Sequence, residues 1–75
     1  MKKLNIAIVG LGFGAEFIPL YQRHPHTNMY AICQRTREKL DTIGNAFNIE
    51  ARYTDFDEML KDAAIDVVHI NSPIH

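Results

Sequence analysis

Ile6-Ala7-Ile8-Val9-Gly10-Leu11-Gly12-Phe13-Gly14-Ala15 is an apolar run that ends in three spaced glycines and passes directly into Glu16-Phe17-Ile18. A buried strand, a glycine turn and a helix start in that order form the layout that seats a pyrophosphate. The spacing fits G-x-G-x-x-A. Gly10 permits the tight turn, Gly12 lets backbone approach a phosphate, and Ala15 is small enough for helix and strand to pack closely. Phe13 and Gly14 lie between them, where amides at the start of the helix would donate to phosphate oxygens. Any strand-to-helix turn favours glycine, so the position after a buried strand, with a second strand at the right distance, carries the argument.

Working outward, Leu4 to Val9 is almost continuously apolar, as a central parallel strand buried on both faces must be. A helix is expected from about Gly14 to Arg23, with Phe17, Leu20 and Tyr21 as its inward stripe. Pro19 within it removes an amide and opposes the Ala15 carbonyl, which predicts a kink or a 3-10 turn. After the loop at His24-Pro25-His26, Met29 to Cys33 reads as a second strand. Thr36 is placed to cap a helix from Arg37 to about Phe47 that Asn48 closes. Ala51-Arg52-Tyr53 is a brief strand suited to a sheet edge. Asp55 with Glu58 suggests a capping box for a short helix carrying Phe56, Met59 and Leu60. Val67 to Asn71 is the fourth strand.

The βαβαβαβ order predicts an α/β fold, a partial doubly wound (Rossmann) parallel sheet in the spatial order 3-2-1-4, with ligands at the carboxyl ends of strands one and four. The first two helices are expected on one face and only the short third one on the other. That arrangement leaves apolar sheet and an edge uncovered. Residues 1–75 are therefore expected to be the amino-terminal part of a dinucleotide-binding domain within a longer protein; a homo-oligomer would cover the same surface.

Composition agrees with a globular protein. The 75 residues are 47% hydrophobic and 23% charged with net charge −1, so neither disorder nor nucleic-acid binding is indicated. A chain of this length buries only about 60% of its unfolded surface. A single cysteine, Cys33, cannot form an internal disulfide, which suits a cytoplasmic location. Met1-Lys2-Lys3 before an apolar run imitates a secretory signal, but Asn5 interrupts the run and the glycines obey a spacing that a signal does not need. No run approaches the ~18 apolar residues of a membrane span.

At the end of the second strand, where a carboxylate normally holds the adenosine ribose, the chain has Gln34-Arg35-Thr36-Arg37. A carboxylate would repel a 2′-phosphate, whereas Arg35, with Thr36 and Arg37, can pair with one, which favours NADP over NAD. Gln34 bonding the ribose of NAD, with the arginines solvated, is the other reading. The remaining polar residues read as structural. His24 and His26 lack acidic or thiol partners for a metal, Cys33 is a small core residue, and His69 is a hydrogen-bonded strand residue. Asp55, Asp57, Glu58 and Asp62 look like a cap and a solvated face.

The arrangement resembles the amino-terminal domain of the glucose-fructose oxidoreductase / inositol dehydrogenase (Gfo/Idh/MocA) family. The likeness rests on Ile6 to Gly12, Ala31-Ile32-Cys33, Tyr53 to Leu60, and above all Ile65 to His75, where Ser72 stands in for the family's usual threonine before Pro73. The resemblance implies that Asn71, Ser72, Pro73 and His75 lie along the nicotinamide half of the coenzyme. It also implies an NAD(P)-dependent dehydrogenase acting on a sugar, polyol or related hydroxyl compound. The family's Glu-Lys-Pro motif and its catalytic second domain do not occur in these residues, so they are expected to bind coenzyme and not to turn over substrate. A non-enzymatic nucleotide-sensing or assembly module on the same fold is the alternative.

Overall fold

The computed structural model describes residues 2–71, and of Phe13 and Gly14 the backbone alone. Four parallel strands, β1 (Leu4–Val9), β2 (Thr27–Cys33), β3 (Ala51–Tyr53) and β4 (Val67–Ile70), form one sheet in the order β3-β2-β1-β4. The order is the expected one. β1 is central because its residues tolerate burial on both sides: Ile6 and Ile8 enter one core and Ala7 the other, each at 3% exposure or less.

The first core lies under α2 (Ile18–Arg23) and α3 (Arg37–Phe47) and gathers Ile6, Ile8, Leu11, Ile18, Met29, Ile32, Leu40 and Ile49. The second is smaller, with Ala7, Ala31, Cys33 and Met59 under α4 (Phe56–Leu60). Met59 is the only fully buried residue of α4. Phe56 and Leu60 stay exposed, as do Val67 and Ile70 on β4.

The segment after β1 departs from the expected single helix. α1 (Leu11–Gly14) begins directly after Gly10, a 3-10 turn follows at Ala15–Phe17, and α2 restarts at Ile18. Pro19 falls in the first turn of α2, where its missing amide would be unpaired in any case. The 3-10 turn shifts the helical phase. Leu11 and Ile18 face the core in consequence, and Leu20, expected inward, is 59% exposed.

The other boundaries are close to those expected. β2 begins at Thr27 instead of Met29, and β4 ends at Ile70. Thr36 occupies the cap position of α3 with extended backbone, but its side chain makes no capping bond. Asn48 closes α3 in the left-handed conformation with φ 58°. Asp55 caps α4 through the Asp57 amide, whereas Glu58 pairs with Lys61 at 3.4 Å.

A register shift in β2 sets Met29 against Ile6 and Ala31 against Ala7, leaving Tyr30 as an extra residue. The bulge keeps Met29 and Ile32 in the first core and turns Tyr30 with Ala31 towards the second. There the hydroxyls of Tyr30 and Tyr53 both donate to Asp62 Oδ2, at 2.9 and 2.6 Å, and Asp62 Oδ1 accepts from the Ala64 amide at 3.0 Å. Asp62 is thus a fastening point and not a member of a merely solvated face. The hydrogen bond from Tyr53, then those from Ala64 and Tyr30, hold its carboxyl below the usual range; the same carboxylate pushes the Tyr53 phenol up to about 12. Asn5 completes this end of the sheet, bonding Asn28, the Ala64 carbonyl and Asp66.

Candidate functional site

Three backbone hydrogen bonds align the carboxyl ends of the strands. The Gly10 amide donates to the Cys33 carbonyl at 3.1 Å, the Gln34 amide to Tyr53 at 3.0 Å, and the Asn71 amide to Val9 at 2.9 Å. The polypeptide leaves β1 and β2 through helices on one face and reaches β4 through α4 on the other. The winding therefore reverses between β1 and β4, which opens a crevice at that end of the sheet.

The glycine turn forms the floor. Gly10 has φ 86°, a backbone conformation that any side chain strains. Gly12 is different: a Cβ there would meet nothing within 4 Å among the described residues, which leave the space above it open. Phe13 and Gly14 complete α1, and the half-buried Ala15 packs against the first core as a small residue should. The first-turn amides of α1 have no intrahelical acceptors.

At the β2 end, the Arg35 amide donates to Gln34 Oε1 at 2.9 Å, so the carbonyl end of that side chain is folded back onto the main chain. Its NH₂ end is left as the free group. Arg35 is exposed and makes no ion pair among the described residues, whereas Arg37 is paired with Asp41 at 3.4 Å. Thr36 is exposed beside them. At the β4 end, Asn71 Nδ2 is buried and has no hydrogen-bond partner among the described residues. A buried amide without a partner costs about 1–3 kcal/mol, so an acceptor brought to Asn71 would be stabilising. Ser72, Pro73 and His75, the rest of the expected turn, lie outside the described residues.

Among the described residues, Gly12 with open space above it, Asn71 with an unpaired amide and Arg35 without an ion pair thus lie at the carboxyl ends of β1, β4 and β2. A separate groove lined by Asn28, Met29, Tyr30, Asn48, Ile49, Glu50 and Ala51 lies at the other ends of β2 and β3 and contains none of these residues. Cys33, buried beneath the site, is pushed up in pKa by burial and then by the Asp55 charge, which disfavours the thiolate. No three His, Cys, Asp or Glu side chains among the described residues are grouped as metal ligands. No helix among them is long and apolar enough to cross a membrane.

One pair near the site was missed by reading along the chain. His69, two residues before Asn71, has Nδ1 at 2.7 Å from the Tyr21 hydroxyl. Alternation in β4 gave His69 a hydrogen-bonded role, but nothing in the linear sequence names a partner 48 residues away.

Residues 4–75 match the family model GFO_IDH_MocA, described as an oxidoreductase family with an NAD-binding Rossmann fold. The D-apiose dehydrogenase of Rhizobium rhizogenes is 31% identical over 75 residues, which are 99% of this chain and 22% of that protein. An oxidoreductase from Agrobacterium radiobacter, solved with NAD+, L-tartaric acid and magnesium, superposes with a TM-score of 0.89 at 29% identity. The match covers 96% of this chain and 21% of that one. The scyllo-inositol dehydrogenase of Lactobacillus casei, solved with NAD(H) and scyllo-inositol, gives 0.81 at 34% identity over 96% and 22%. The chain thus spans about a fifth of the length of these relatives.

Proposed function

Since the chain belongs to the oxidoreductase family with an NAD-binding Rossmann fold, we propose that it is the coenzyme-holding part of an NAD(P)-dependent dehydrogenase of a sugar, polyol or related hydroxyl compound. The observation that carries this reading is the open approach over Gly12, beside the left-handed Gly10, at the reversal of winding between β1 and β4. Relatives that act on D-apiose and scyllo-inositol support the substrate class.

The coenzyme, when bound, supplies hydride chemistry; this chain supplies binding and orientation. The backbone at Gly10 and Gly12, with the α1 amides through Phe13 and Gly14, meets the pyrophosphate. Ala15 keeps that turn close to the sheet. Gln34, Arg35 and Thr36 meet the adenosine ribose, and Asn71 offers its amide on the nicotinamide side, where the resemblance adds Ser72, Pro73 and His75. The charge of Arg35, without an ion pair among the described residues, favours a 2′-phosphate and hence NADP, while NAD+ and NAD(H) in the structures of two relatives favour the unphosphorylated form. Catalytic groups belong, in this reading, to a further domain. A cytoplasmic homo-oligomer extends the proposal, supported by the single buried thiol and by the exposed Val67 and Ile70 of β4.

The test is titration of the chain with NADH and with NADPH, followed by nicotinamide fluorescence. Saturable binding of either is expected; binding of neither up to millimolar concentration refutes the proposal.

A further inference from the structure

The Tyr21–His69 contact joins two elements on which the proposed site depends. His69 pairs with Ile8 of β1, and its strand leads to Asn71. Its imidazole is 4.7 Å from the Phe17 ring, with 47° between planes, and 5.7 Å from the Tyr21 ring in an edge-on arrangement. Phe17 ends the 3-10 turn and Tyr21 lies in α2, so both belong to the segment that leaves the glycine turn.

That segment is not one continuous rod. It consists of α1, the 3-10 turn and α2, in pieces of 4, 3 and 6 residues. Leu11 and Ile18 bury it in the first core, at 1% and 0% exposure, but apolar contact is non-directional and fixes depth better than lateral position. The half-buried bond between Tyr21 and His69 is directional. The Thr27 hydroxyl, donating to the Tyr21 carbonyl at 2.8 Å, fastens the same residue to the start of β2.

Resting on the coenzyme reading above, the geometry points to Tyr21 and His69 as positioning residues that set the spacing between the glycine turn at Gly10–Ala15 and the β4 end at Asn71. They act through the elements that carry Gly12 and Asn71. A whole dinucleotide must engage both elements, whereas its adenosine diphosphate half engages only the glycine turn and the end of β2. Loss of the strut therefore penalises the dinucleotide selectively.

Calorimetric titration of the chain with NAD+ and, separately, with ADP tests this. Tyr21→Phe retains both ring contacts and deletes the hydrogen bond. It is expected to weaken NAD+ about five- to tenfold and to leave ADP within about twofold. His69→Phe keeps an aromatic ring against Phe17 and Tyr21 and deletes the nitrogen, so it is expected to weaken NAD+ about as much as Tyr21→Phe and to leave ADP within about twofold. Unchanged NAD+ affinity in Tyr21→Phe, or an equal loss for ADP and NAD+, would overturn the proposal. Should Tyr21→Phe fail to fold, His69→Phe decides alone: a loss confined to NAD+ supports the strut, and unchanged affinity or a loss common to both ligands refutes it. A wild-type chain that binds neither ligand refutes the coenzyme reading, and the strut with it, before any variant is made.

Discussion

Gly12→Ala separates what the fold needs from what the proposed coenzyme needs. Gly12 sits in the first turn of α1, and an added Cβ meets nothing within 4 Å among the described residues. Alanine in a helix, at a position that its backbone accepts, gains about 0.5–1 kcal/mol over glycine. For a domain of this size, 1 kcal/mol moves Tm by about 4–8 °C, so a rise of roughly 2–8 °C is expected in a circular-dichroism melt. The same methyl stands where backbone is proposed to approach a pyrophosphate. Overfilling a close contact costs about 1–3 kcal/mol, so the Kd for NADH should rise about five- to 150-fold in the fluorescence titration. Gly10→Ala is the contrasting control: with φ 86° it strains the backbone by about 1–2 kcal/mol and lowers Tm. An NADH affinity unchanged in Gly12→Ala would refute close approach at that residue, and a lowered Tm would refute the openness of the space above it.

Three further outcomes are expected. Arg35→Ala should weaken NADPH much more than NADH in parallel titrations, since a 2′-phosphate alone draws on that charge; equal losses would remove Arg35 from the ribose site. Met59→Ala, which empties the only buried anchor of α4, should cost about 2–5 kcal/mol in urea unfolding, and a cost below about 1 kcal/mol would show that α4 contributes little to the second core. The Tyr53–Asp62 bond predicts two pH limbs. The Tyr53 phenol is raised from 10 to about 12 on folding, so its stabilisation is complete below pH 10 and is lost as pH rises through about 12. The Asp62 carboxyl is lowered from 3.8, so its stabilisation is present above that value and is lost as pH falls below it. Melts of Tyr53→Phe across both ranges should show a weaker alkaline limb, the Tyr30 phenol that Asp62 also raises keeping the remainder, and a weaker acid one; an unaltered alkaline limb would mean that Tyr53 does not contribute to it.

By itself the sequence determined the sheet, its order and the place of the glycine turn. A double-sided apolar strand, a G-x-G-x-x-A spacing and alternating periods of two and 3.6 are local signals, and each is set within a dozen residues. Gly10, Ala15, Asn48 and Asp55 were legible for the same reason, since a turn, a close contact or a cap needs only its neighbours. Interactions that join distant segments were not legible. Pro19 announced a break, but only packing settled that α2 restarts at Ile18, burying Ile18 and exposing Leu20. The bulge that turns Tyr30 to share Asp62 with Tyr53 depends on the register of β2 against β1, which residue types in β2 do not encode. The buried amide of Asn71, unpaired among the described residues, and the bond between Tyr21 and His69 likewise exist only because β4 lies beside β1 beneath the broken helix. Local periodicity specifies which elements form, whereas the partners of polar side chains follow from how those elements are stacked. At this site the stacking brings Gly12, Arg35 and Asn71 to one end of the sheet.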